Sequence, residues 1–242
     1  MMERINWLQR TELLLGNEGI EILKKKHVLV VGLGGVGAYA AEMICRAGIG
    51  RMTIIDGDIV ETSNRNRQLP ALISNEGKPK AEIMAARIKD INPELDLKVI
   101  HEFVRDERTR EILEMDTYDY VVDAIDTLAP KVFLIHHCLE RRIPVVSSMG
   151  AGGKFNPGLI QVADLSNTYN CKLARMLRKR LSKLGIKKGV KTVFSSEGIE
   201  MEKIVLEESQ NKKSVVGTIS YMPAVFGCYC ASVVIRDLIE LN

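Results

Sequence analysis

The sequence predicts an α/β fold: a Rossmann-like, mostly parallel sheet with helices on both faces, followed by a less regular C-terminal α+β portion. Two observations lead to this prediction. Short apolar, β-branched runs alternate with longer segments of helical periodicity through the first 150 residues, and such alternation is typical of parallel strands joined by right-handed crossovers. A glycine-rich turn also joins the first of these strands to the helix after it, as in nucleotide-binding folds.

The predicted elements follow one another in a regular order. Strands are predicted at 27–31, 51–56, 97–100, 120–125 and 143–148. Helices are predicted after the glycine-rich turn, at 80–91, near 107–115 and near 130–141. Beyond residue 150 we expect strands at 190–196 and 201–208 and a closing apolar helix at 222–240.

The chain contains no internal repeat and no low-complexity linker. Its 242 residues suit one large domain with a substantial buried core. We therefore expect a single domain over residues 1–242, in which 26–150 form a nucleotide-binding half and 151–242 a substrate-facing portion.

The composition excludes several classes of protein. With 46% hydrophobic and 27% charged residues, the chain is typical of globular proteins, and it has no apolar stretch of the roughly 20 residues that a membrane helix needs. Its N-terminus lacks the apolar core of a secretion signal. Five cysteines without a C-x-x-C motif provide neither a disulfide scaffold nor a structural zinc site. We expect a reduced, cytoplasmic protein.

The formal net charge of +3 conceals an uneven distribution. Residues 165–196 contain nine basic and no acidic side chains, which leaves 25 basic and 31 acidic residues elsewhere, a formal charge of −6. The segment is predicted to form an amphipathic helix with an apolar stripe made of Leu173, Met176, Leu177, Leu181 and Leu184. A solvated helix face and a surface for a polyanionic partner explain this charge equally well.

A G-x-G-x-x-G motif links the first predicted strand to the first crossover helix. It comprises Gly32, Gly34, Gly35 (an additional glycine) and Gly37. Glycines permit a tight turn and close approach of the backbone, and the helix N-terminus offers amide donors to phosphate. Asp56 ends the next strand, where a carboxylate accepts hydrogen bonds from ribose hydroxyls. This pattern indicates an adenine nucleotide, and NAD and ATP both fit it.

The residues that follow favour ATP. A triphosphate carries about four negative charges, so cationic side chains help to bind it and to stabilise the leaving pyrophosphate. Arg67 and Lys80 suit this need, and each alone would also suit a surface position. Asp126 follows a predicted strand, where a carboxylate can hold Mg2+ against the phosphates.

Five motifs together resemble the ThiF/MoeB/HesA superfamily, whose adenylating fold is shared with ubiquitin-activating enzymes. In chain order they are GLGGVG, D-G-D, S-N-R-N-R-Q, G-K-P-K and D-A-I-D-T. The resemblance spans nearly the whole chain and implies activation of a carboxylate with ATP and Mg2+ by a homodimer. It implies that Asp56 binds ribose and that Asp58 also belongs to the nucleotide site. It further implies that Asn64, Arg67 and Lys80 contact the phosphates. Asp126 would take the magnesium-linked role, and Arg10 would enter the ATP site of the partner subunit.

Within the superfamily, several further features are similar to the tRNA threonylcarbamoyladenosine dehydratases. These are the basic helix and the motifs R-T-E-L-L, I-N-P, G-A-G-G and A-D-L-S. This branch uses ATP to activate the carboxylate of the modified nucleoside and closes it into a cyclic form with loss of water. The resemblance implies an RNA partner, not DNA or a membrane. Phosphates of an anticodon stem-loop would then contact Lys172, Arg175, Arg178, Lys179 and Lys183.

Other interpretations remain open at this point. The same ATP site would serve a ubiquitin-like sulfur carrier of thiamine or molybdopterin synthesis, with Cys171, at the start of the basic helix, as an acyl or sulfur acceptor. An NAD-dependent dehydrogenase is a third alternative, and a sulfur-relay partner is left undecided. His136 and His137 are adjacent on a predicted helix, so we expect them to face different directions and not to share a ligand.

Overall fold

The computed structural model describes residues 6–198, 204–205 and 215–240. Their α-helices are α1 (Gln9–Lys24), α2 (Gly37–Arg46), α3 (Lys80–Ile91), α4 (Asp106–Glu114), α5 (Leu128–Glu140), α6 (Lys172–Lys183) and α7 (Tyr221–Leu238). Their strands are β1 (His27–Val31), β2 (Arg51–Ile55), β3 (Asp96–Ile100), β4 (Tyr120–Asp123), β5 (Val145–Ser148), β6 (Ile160–Asp164), β7 (Lys191–Ser195), β8 (Ile204–Val205) and β9 (Val215–Val216).

The main sheet has the strand order β3-β2-β1-β4-β5-β7-β6. Every neighbouring pair in it is parallel except β6 and β7, which are antiparallel. The predicted mostly parallel sheet is therefore confirmed. The chain builds outward from β1 through β2 to β3 and then returns to the other side of β1 with β4. In open α/β sheets, ligands bind at the carboxyl ends of the strands beside such a reversal.

Helices cover both faces of this sheet, as predicted. Apolar residues of α2, α3 and α7 pack on one face. Residues of α4 and α5 pack on the other, where α6 extends the layer by packing against α5 and β7. Within the described part of the chain, no helix combines the length and apolarity needed to cross a bilayer.

The local sequence explains the elements closest to the reversal. All five residues of β1 are apolar or buried, as expected for a central strand covered on both faces. Pro79 directly precedes α3, and because proline has no amide hydrogen, it leaves no unsatisfied donor at the start of that helix. The prediction of a helix at 80–91 is confirmed.

The structure corrects several boundaries. β4 ends at Asp123, not at residue 125, because the Asp123 carboxylate accepts a hydrogen bond from the amide of Ile125 at 3.2 Å and the chain turns there. β5 starts at Val145, not at residue 143, because the Ile143 amide is still bonded to Cys138 at the end of α5 and Pro144 has no amide hydrogen. Of the strand predicted at 201–208, the structure describes only residues 204–205, and the rest lies outside the described residues.

Two features of the C-terminal portion differ from expectation. The edge strand β6 was not predicted, because its sequence IQVAD is short and alternates poorly. α6 is an amphipathic helix as predicted, but its buried positions are Ala174, Leu177 and Leu181. Met176 and Leu184 of the predicted apolar stripe are substantially exposed. Met176 lies outside the 3.6-residue repeat that the buried positions follow, and Leu184 lies past the last turn.

Candidate functional site

The glycine-rich loop leaves the carboxyl end of β1 and enters α2 through a turn that only glycine can make. Gly32 has a φ of +90°, and a Cβ atom there would lie 2.8 Å from the carbonyl oxygen of Ala124. A Cβ on Gly37 would overlap the carbonyl oxygen of Gly32. The loop therefore doubles back on itself against the turn after β4 and presents the N-terminus of α2 at the carboxyl edge of the sheet.

Asp56, directly after β2, is buried beside this loop. Its carboxylate accepts hydrogen bonds from the amides of Leu33 at 2.5 Å and Asp58 at 2.7 Å. Burial raises the pKa of Asp56, while these amides and the charge of Lys80 act in the opposite direction. The carboxylate thus joins the glycine-rich loop to the D-G-D turn, and its contact with ribose stays a prediction.

Lys80 is the first residue of α3 and is only 4% exposed. Its Nζ lies 2.9 Å from the Asp58 carboxylate, which is half exposed, and its amide donates to the Asp58 carbonyl at 3.0 Å. The D-G-D turn therefore holds a largely desolvated ammonium group at the edge of the site. Such a cation is available to an anionic ligand that replaces or joins the Asp58 carboxylate.

Arg67 lies in the loop between β2 and α3 and is half-buried. Its guanidinium donates to the carbonyl of Ser63 at 2.9 Å and to the side chain of Asn66 at 2.8 Å. Burial lowers the pKa of Arg67, and the negative charge of Asp126 acts against this. The sequence places Arg67 and Asp126 far apart, and the fold brings them within electrostatic reach.

Asp126 follows β4 in the turn that leads into α5, and its side chain is exposed. This turn packs directly beneath the glycine-rich loop, because the Ala124 amide donates to Val31 at the end of β1 at 2.9 Å. Asp126 therefore lies at the carboxyl edge of the sheet, as the sequence predicts. Carboxylate and phosphate oxygens are suitable ligands for Mg2+, so the site fits that ion.

Asn64 has a different position from the one expected for a phosphate contact. The residue is buried, and its side-chain oxygen accepts a hydrogen bond from the amide of Glu61 at 3.2 Å within a short 3-10 turn. This bond satisfies a donor at the start of the turn, as in a capping box. Asn64 therefore shapes the loop that carries Arg67, and its contact with phosphate stays a prediction.

A buried ion pair that the sequence analysis missed supports the turn with Asp126. Asp123 and Lys131 are both 0% exposed, and the Lys131 Nζ lies 2.7 Å from the Asp123 carboxylate. The hydroxyl of Ser147 donates to the same carboxylate at 2.6 Å. The signal in the sequence is a lysine among apolar residues of the α5 helix, eight positions after an aspartate.

Gln68, the last residue of the S-N-R-N-R-Q motif, also faces the candidate site. A Cβ on Gly34 would lie 3.8 Å from its amide nitrogen, so the side chain faces the glycine-rich loop. Its Oε1 atom is buried and receives no hydrogen bond from the described residues. Because an unsatisfied buried acceptor is costly, Gln68 is a candidate to accept a hydrogen bond from a bound nucleotide.

Arg10 is exposed in the first turn of α1 and lies away from the residues above. Leu8, two residues earlier, packs close to Gly48 beyond the C-terminal end of α2. The glycine-rich loop lies at the other end of α2, whose ten residues span about 15 Å. Within one chain, therefore, the structure does not bring Arg10 to the phosphate site.

The basic segment forms one solvent-exposed side of α6. The face of the helix opposite its buried positions carries four of the predicted RNA-contacting residues, Lys172, Arg175, Lys179 and Lys183. Arg178 differs, because its guanidinium donates to the carbonyls of Leu165 at 3.2 Å and Thr168 at 2.8 Å and also to the Thr168 hydroxyl. It holds the preceding turn against α6, a role that the sequence did not predict.

A continuous set of hydrogen bonds connects the phosphate side to α6. The Asn66 side chain donates to the carbonyl of Thr218 at 3.0 Å, and the Gly153 amide donates to Gly217 at 2.8 Å. The next residue, Lys154, is buried and donates to the carbonyl of Asn170, just before α6, at 3.5 Å. The surface between the glycine-rich loop and the basic helix is thus formed by connected segments.

Cys171 and the adjacent histidines also differ from the simplest expectation. The Cys171 thiol is buried and caps α6 by accepting the amide of Ala174 at 3.5 Å, so it is not presented as an acceptor. His136 and His137 both approach Glu140, at 3.5 and 3.0 Å. Both rings therefore reach the same glutamate, one at each carboxylate oxygen, although adjacent helical positions were expected to face different directions.

These features define an α/β nucleotide-binding protein with its candidate site at the carboxyl ends of β1, β2 and β4, where a buried lysine and a half-buried arginine lie near a glycine-rich loop. Comparison with known families agrees with this class. The ThiF family matches residues 8–241, and the chain belongs to that family.

Individual relatives match over most of their length. A tRNA threonylcarbamoyladenosine dehydratase of Bacillus subtilis is 40% identical over 244 residues, covering 98% of this chain and 96% of the relative. A protein of the same name from Escherichia coli is 44% identical over 203 residues, covering 80% and 75%. A crystal structure of the Escherichia coli enzyme in complex with ATP superposes with a TM-score of 0.88 at 38% identity, covering 99% of this chain and 97% of the other.

Proposed function

We propose that this chain is an ATP-dependent tRNA threonylcarbamoyladenosine dehydratase. It adenylates the carboxylate of threonylcarbamoyladenosine in tRNA and closes the nucleoside into a cyclic form. The observation that supports the adenylation chemistry is the position of two cations near the glycine-rich loop. Lys80 lies beside Asp58 and Asp56, whose carboxylate binds the loop amide of Leu33, and Arg67 lies within electrostatic reach of Asp126. Similarity over nearly the whole chain to relatives that carry this name supports the substrate.

In the first step, an oxygen of the substrate carboxylate attacks the α-phosphorus of ATP, and the bond to pyrophosphate breaks. Negative charge develops on the leaving pyrophosphate, and the buried Lys80 and the half-buried Arg67 stabilise it. Asp126 is the residue that would hold Mg2+, whose charge neutralises phosphate oxygens when the ion is bound. Gln68 and the amides at the start of α2 orient the nucleotide.

In the second step, a nucleophile of the same nucleoside attacks the activated carbonyl, and AMP leaves with one of the two carboxylate oxygens. The nucleoside therefore loses the elements of water, while ATP is converted to AMP and pyrophosphate. Both reacting groups belong to one nucleoside, so holding them together accelerates the step. No protein nucleophile is needed, in agreement with the buried position of the Cys171 thiol.

The two parts of the chain divide this work. Residues 26–150 bind the nucleotide, and residues 151–242 face the tRNA. The exposed side of α6 offers lysine and arginine side chains to backbone phosphates, and the connected segments between Asn66 and Asn170 form the surface on which the modified nucleoside lies. A tRNA substrate and five unpaired cysteines favour a cytoplasmic location.

The active form is a homodimer in which Arg10 of each subunit completes the phosphate site of the other. The position of Arg10, about one length of α2 from the glycine-rich loop of its own chain, supports this arrangement. So does the surface around it, where Leu13 and Leu14 are each 83% exposed and Trp7 is half exposed. Exposed apolar side chains in this number are typical of surfaces that are covered by another chain.

The proposal is tested by incubating the protein with ATP, Mg2+ and tRNA that carries threonylcarbamoyladenosine, and then measuring the nucleoside by mass spectrometry. We expect loss of the mass of one water that depends on ATP. A parallel reaction contains a ubiquitin-like sulfur carrier with a Gly-Gly terminus in place of tRNA. Pyrophosphate exchange that is stimulated by the carrier and not by the tRNA would instead identify a sulfur-carrier activating enzyme. Omitting any sulfur-relay protein tests whether such a partner is required.

A further inference from the structure

The last turn of α5 carries a cluster of metal-ligating side chains that the adenylation chemistry does not use. Glu140 approaches both neighbouring histidines: one carboxylate oxygen lies 3.5 Å from His136 Nε2, and the other lies 3.0 Å from His137 Nδ1. One ligand atom from each of the three side chains lies within 4.8 Å of the other two. These separations are short enough for a single ion to contact all three after small side-chain movements.

We propose that His136, His137 and Glu140 form a binding site for a divalent transition metal ion of the Zn2+ class. Two imidazole nitrogens and one carboxylate are ligands that Zn2+, Ni2+ and Co2+ prefer, whereas Mg2+ prefers an all-oxygen set. The remaining coordination positions face solvent, because Glu140 is half exposed, and water fills them.

The environment of His137 is of the kind found around metal-bound histidines. Its Nδ1 faces Glu140, and its Nε2 lies 3.6 Å from a carboxylate oxygen of Asp106 on α4. A ligating histidine commonly donates its other ring N–H to a carboxylate, which fixes the ring and makes the ligating nitrogen more basic. Asp106 is therefore placed to orient His137 from the neighbouring helix.

The two rings are already restricted in the absence of an ion. His136 is 25% and His137 15% exposed, and the ring centroids are 5.3 Å apart. The Nδ1 atom of His136 is buried without a hydrogen-bond partner among the described residues, so Glu140 is the polar group that its ring meets. The nearest strong cation, Arg141, is paired with Glu114 at 2.6 Å and does not occupy the carboxylate of Glu140.

This site is separate from the nucleotide site. Asp126 precedes the N-terminus of α5, and Glu140 ends that helix, whose 13 residues span about 20 Å. A metal ion bound here would link the end of α5 to α4 through His137 and Asp106. We therefore expect binding to stabilise the packing of α4 against α5 and to leave ATP binding unchanged.

The experiment uses full-length protein treated with a chelator and then titrated with Zn2+ in a calorimeter, with thermal unfolding measured in parallel. We expect one strong Zn2+ site per chain and a higher Tm in its presence. His137→Ala and Glu140→Gln should each weaken binding at least about tenfold and abolish the Tm increase. ATP binding by these variants verifies that they are folded.

Two variants serve as controls. His101→Ala removes an exposed histidine elsewhere and should leave Zn2+ binding unchanged. Cys228→Ser removes the exposed thiol, and it too should have no effect. The absorption spectrum of bound Co2+ provides a second measurement, because nitrogen and oxygen ligands give visible bands without the intense near-ultraviolet band of a thiolate. Absence of saturable binding, undiminished binding by His137→Ala, or loss of binding in Cys228→Ser would each overturn the proposal.

Discussion

Two cationic side chains at the nucleotide site lose much of their hydration on folding. Lys80 is almost fully buried with Asp58 as its partner, and burial lowers the pKa of Arg67 against the attraction of Asp126. A cation in such surroundings interacts more strongly with phosphate than a solvated one does, because water screens it less. The Asp58 carboxylate orients Lys80, and the Ser63 carbonyl and the Asn66 side chain orient Arg67, before a nucleotide arrives. Such preorganisation is what charge stabilisation requires.

Lys80→Ala is expected to slow ATP–pyrophosphate exchange by about 100-fold or more, the cost of removing one preorganised group that stabilises developing charge. The matched control is Lys78→Ala, two residues earlier and exposed, which should change the rate by less than about twofold, since exposed charges contribute little. Thermal unfolding should show both variants folded. Undiminished exchange by Lys80→Ala would contradict its assigned role.

At the residue scale, the sequence indicated where charged groups lie better than it indicated which polar groups serve local turns. Arg67, Lys80 and Asp126 were singled out because a triphosphate needs cations and a metal ligand in addition to a glycine-rich loop, and their roles stay predictions. Asn64 and Arg178 were expected to face ligands, yet both satisfy backbone groups of nearby turns. A polar side chain forms hydrogen bonds either with backbone groups of its own turn or with a ligand. Which of the two occurs depends on the backbone groups that remain unpaired after folding, and the sequence does not show these groups.

At the scale of elements, the turn between β4 and α5 connects the core to the chemistry. Asp123 ends β4 and receives hydrogen bonds from Ile125 in the turn and Ser147 on β5, besides its ion pair with Lys131 on α5. Three elements are thus fixed to one carboxylate, three residues before Asp126. The sequence did not reveal this network, because its partners are eight and 24 residues away and only tertiary packing joins them.

Removing one partner of the Asp123–Lys131 ion pair is expected to lower the free energy of unfolding much more than removing both charges together. Lys131→Met or Asp123→Asn alone leaves a buried group without its partner, and each should lower the free energy of unfolding by about 3–5 kcal/mol. The double variant should lose markedly less than the sum of the two, because neither charge then remains. Urea unfolding of the four proteins measures this coupling, and additive losses would show that the pair does not act as a unit.

The periodicity of apolar residues predicted the long helices and buried strands correctly, but it did not predict short or exposed elements. β1 and α3 were correctly found because a continuous buried strand and a helix after Pro79 leave clear patterns. β6 was missed because its five residues at the sheet edge are only partly buried. In α6 the charge pattern was a better guide than the apolar pattern, since Met176 lies on the exposed side.

The exposed basic side of α6 provides a prediction about tRNA binding. A triple variant that combines Lys172→Ala, Lys179→Ala and Lys183→Ala should bind tRNA more weakly. The slope of log affinity against log salt concentration should also become shallower by about 0.7–1 for each phosphate that the protein no longer neutralises. Arg178 is left intact because it holds the fold. The control replaces Lys24, Lys25 and Lys98, three exposed lysines elsewhere, and an equal loss of affinity in both triple variants would place the RNA site elsewhere.

At the scale of the whole molecule, charge and topology separate two tasks. The formal charge is +9 within residues 165–196 and −6 in the rest of the chain, so the overall +3 describes neither part. The proposed nucleotide site lies where the sheet reverses its order, between β1 and β4. Arg10 lies near the opposite end of α2, and its assigned role requires a second copy of the chain.

Mixing two inactive variants tests this role of the second copy. Arg10→Ala and Lys80→Ala should each be nearly inactive as homodimers. In a mixed dimer, the Arg10→Ala subunit keeps Lys80 and receives Arg10 from its Lys80→Ala partner, so one of the two sites is complete. After full subunit exchange, an equal mixture should regain about a quarter of the wild-type rate, since half of the dimers are mixed. No regain despite confirmed exchange would contradict the arrangement.

In the proposed reaction, ATP activates the carboxylate of the modified nucleoside and an internal nucleophile displaces AMP. The most direct measurement uses tRNA whose threonylcarbamoyl carboxylate carries heavy-isotope oxygen, with the products of one turnover analysed by mass spectrometry. We expect one labelled oxygen in AMP, none in pyrophosphate, and a nucleoside that has lost one labelled oxygen together with two hydrogens. Unlabelled AMP, or an unchanged nucleoside in the presence of protein that binds ATP, would contradict it.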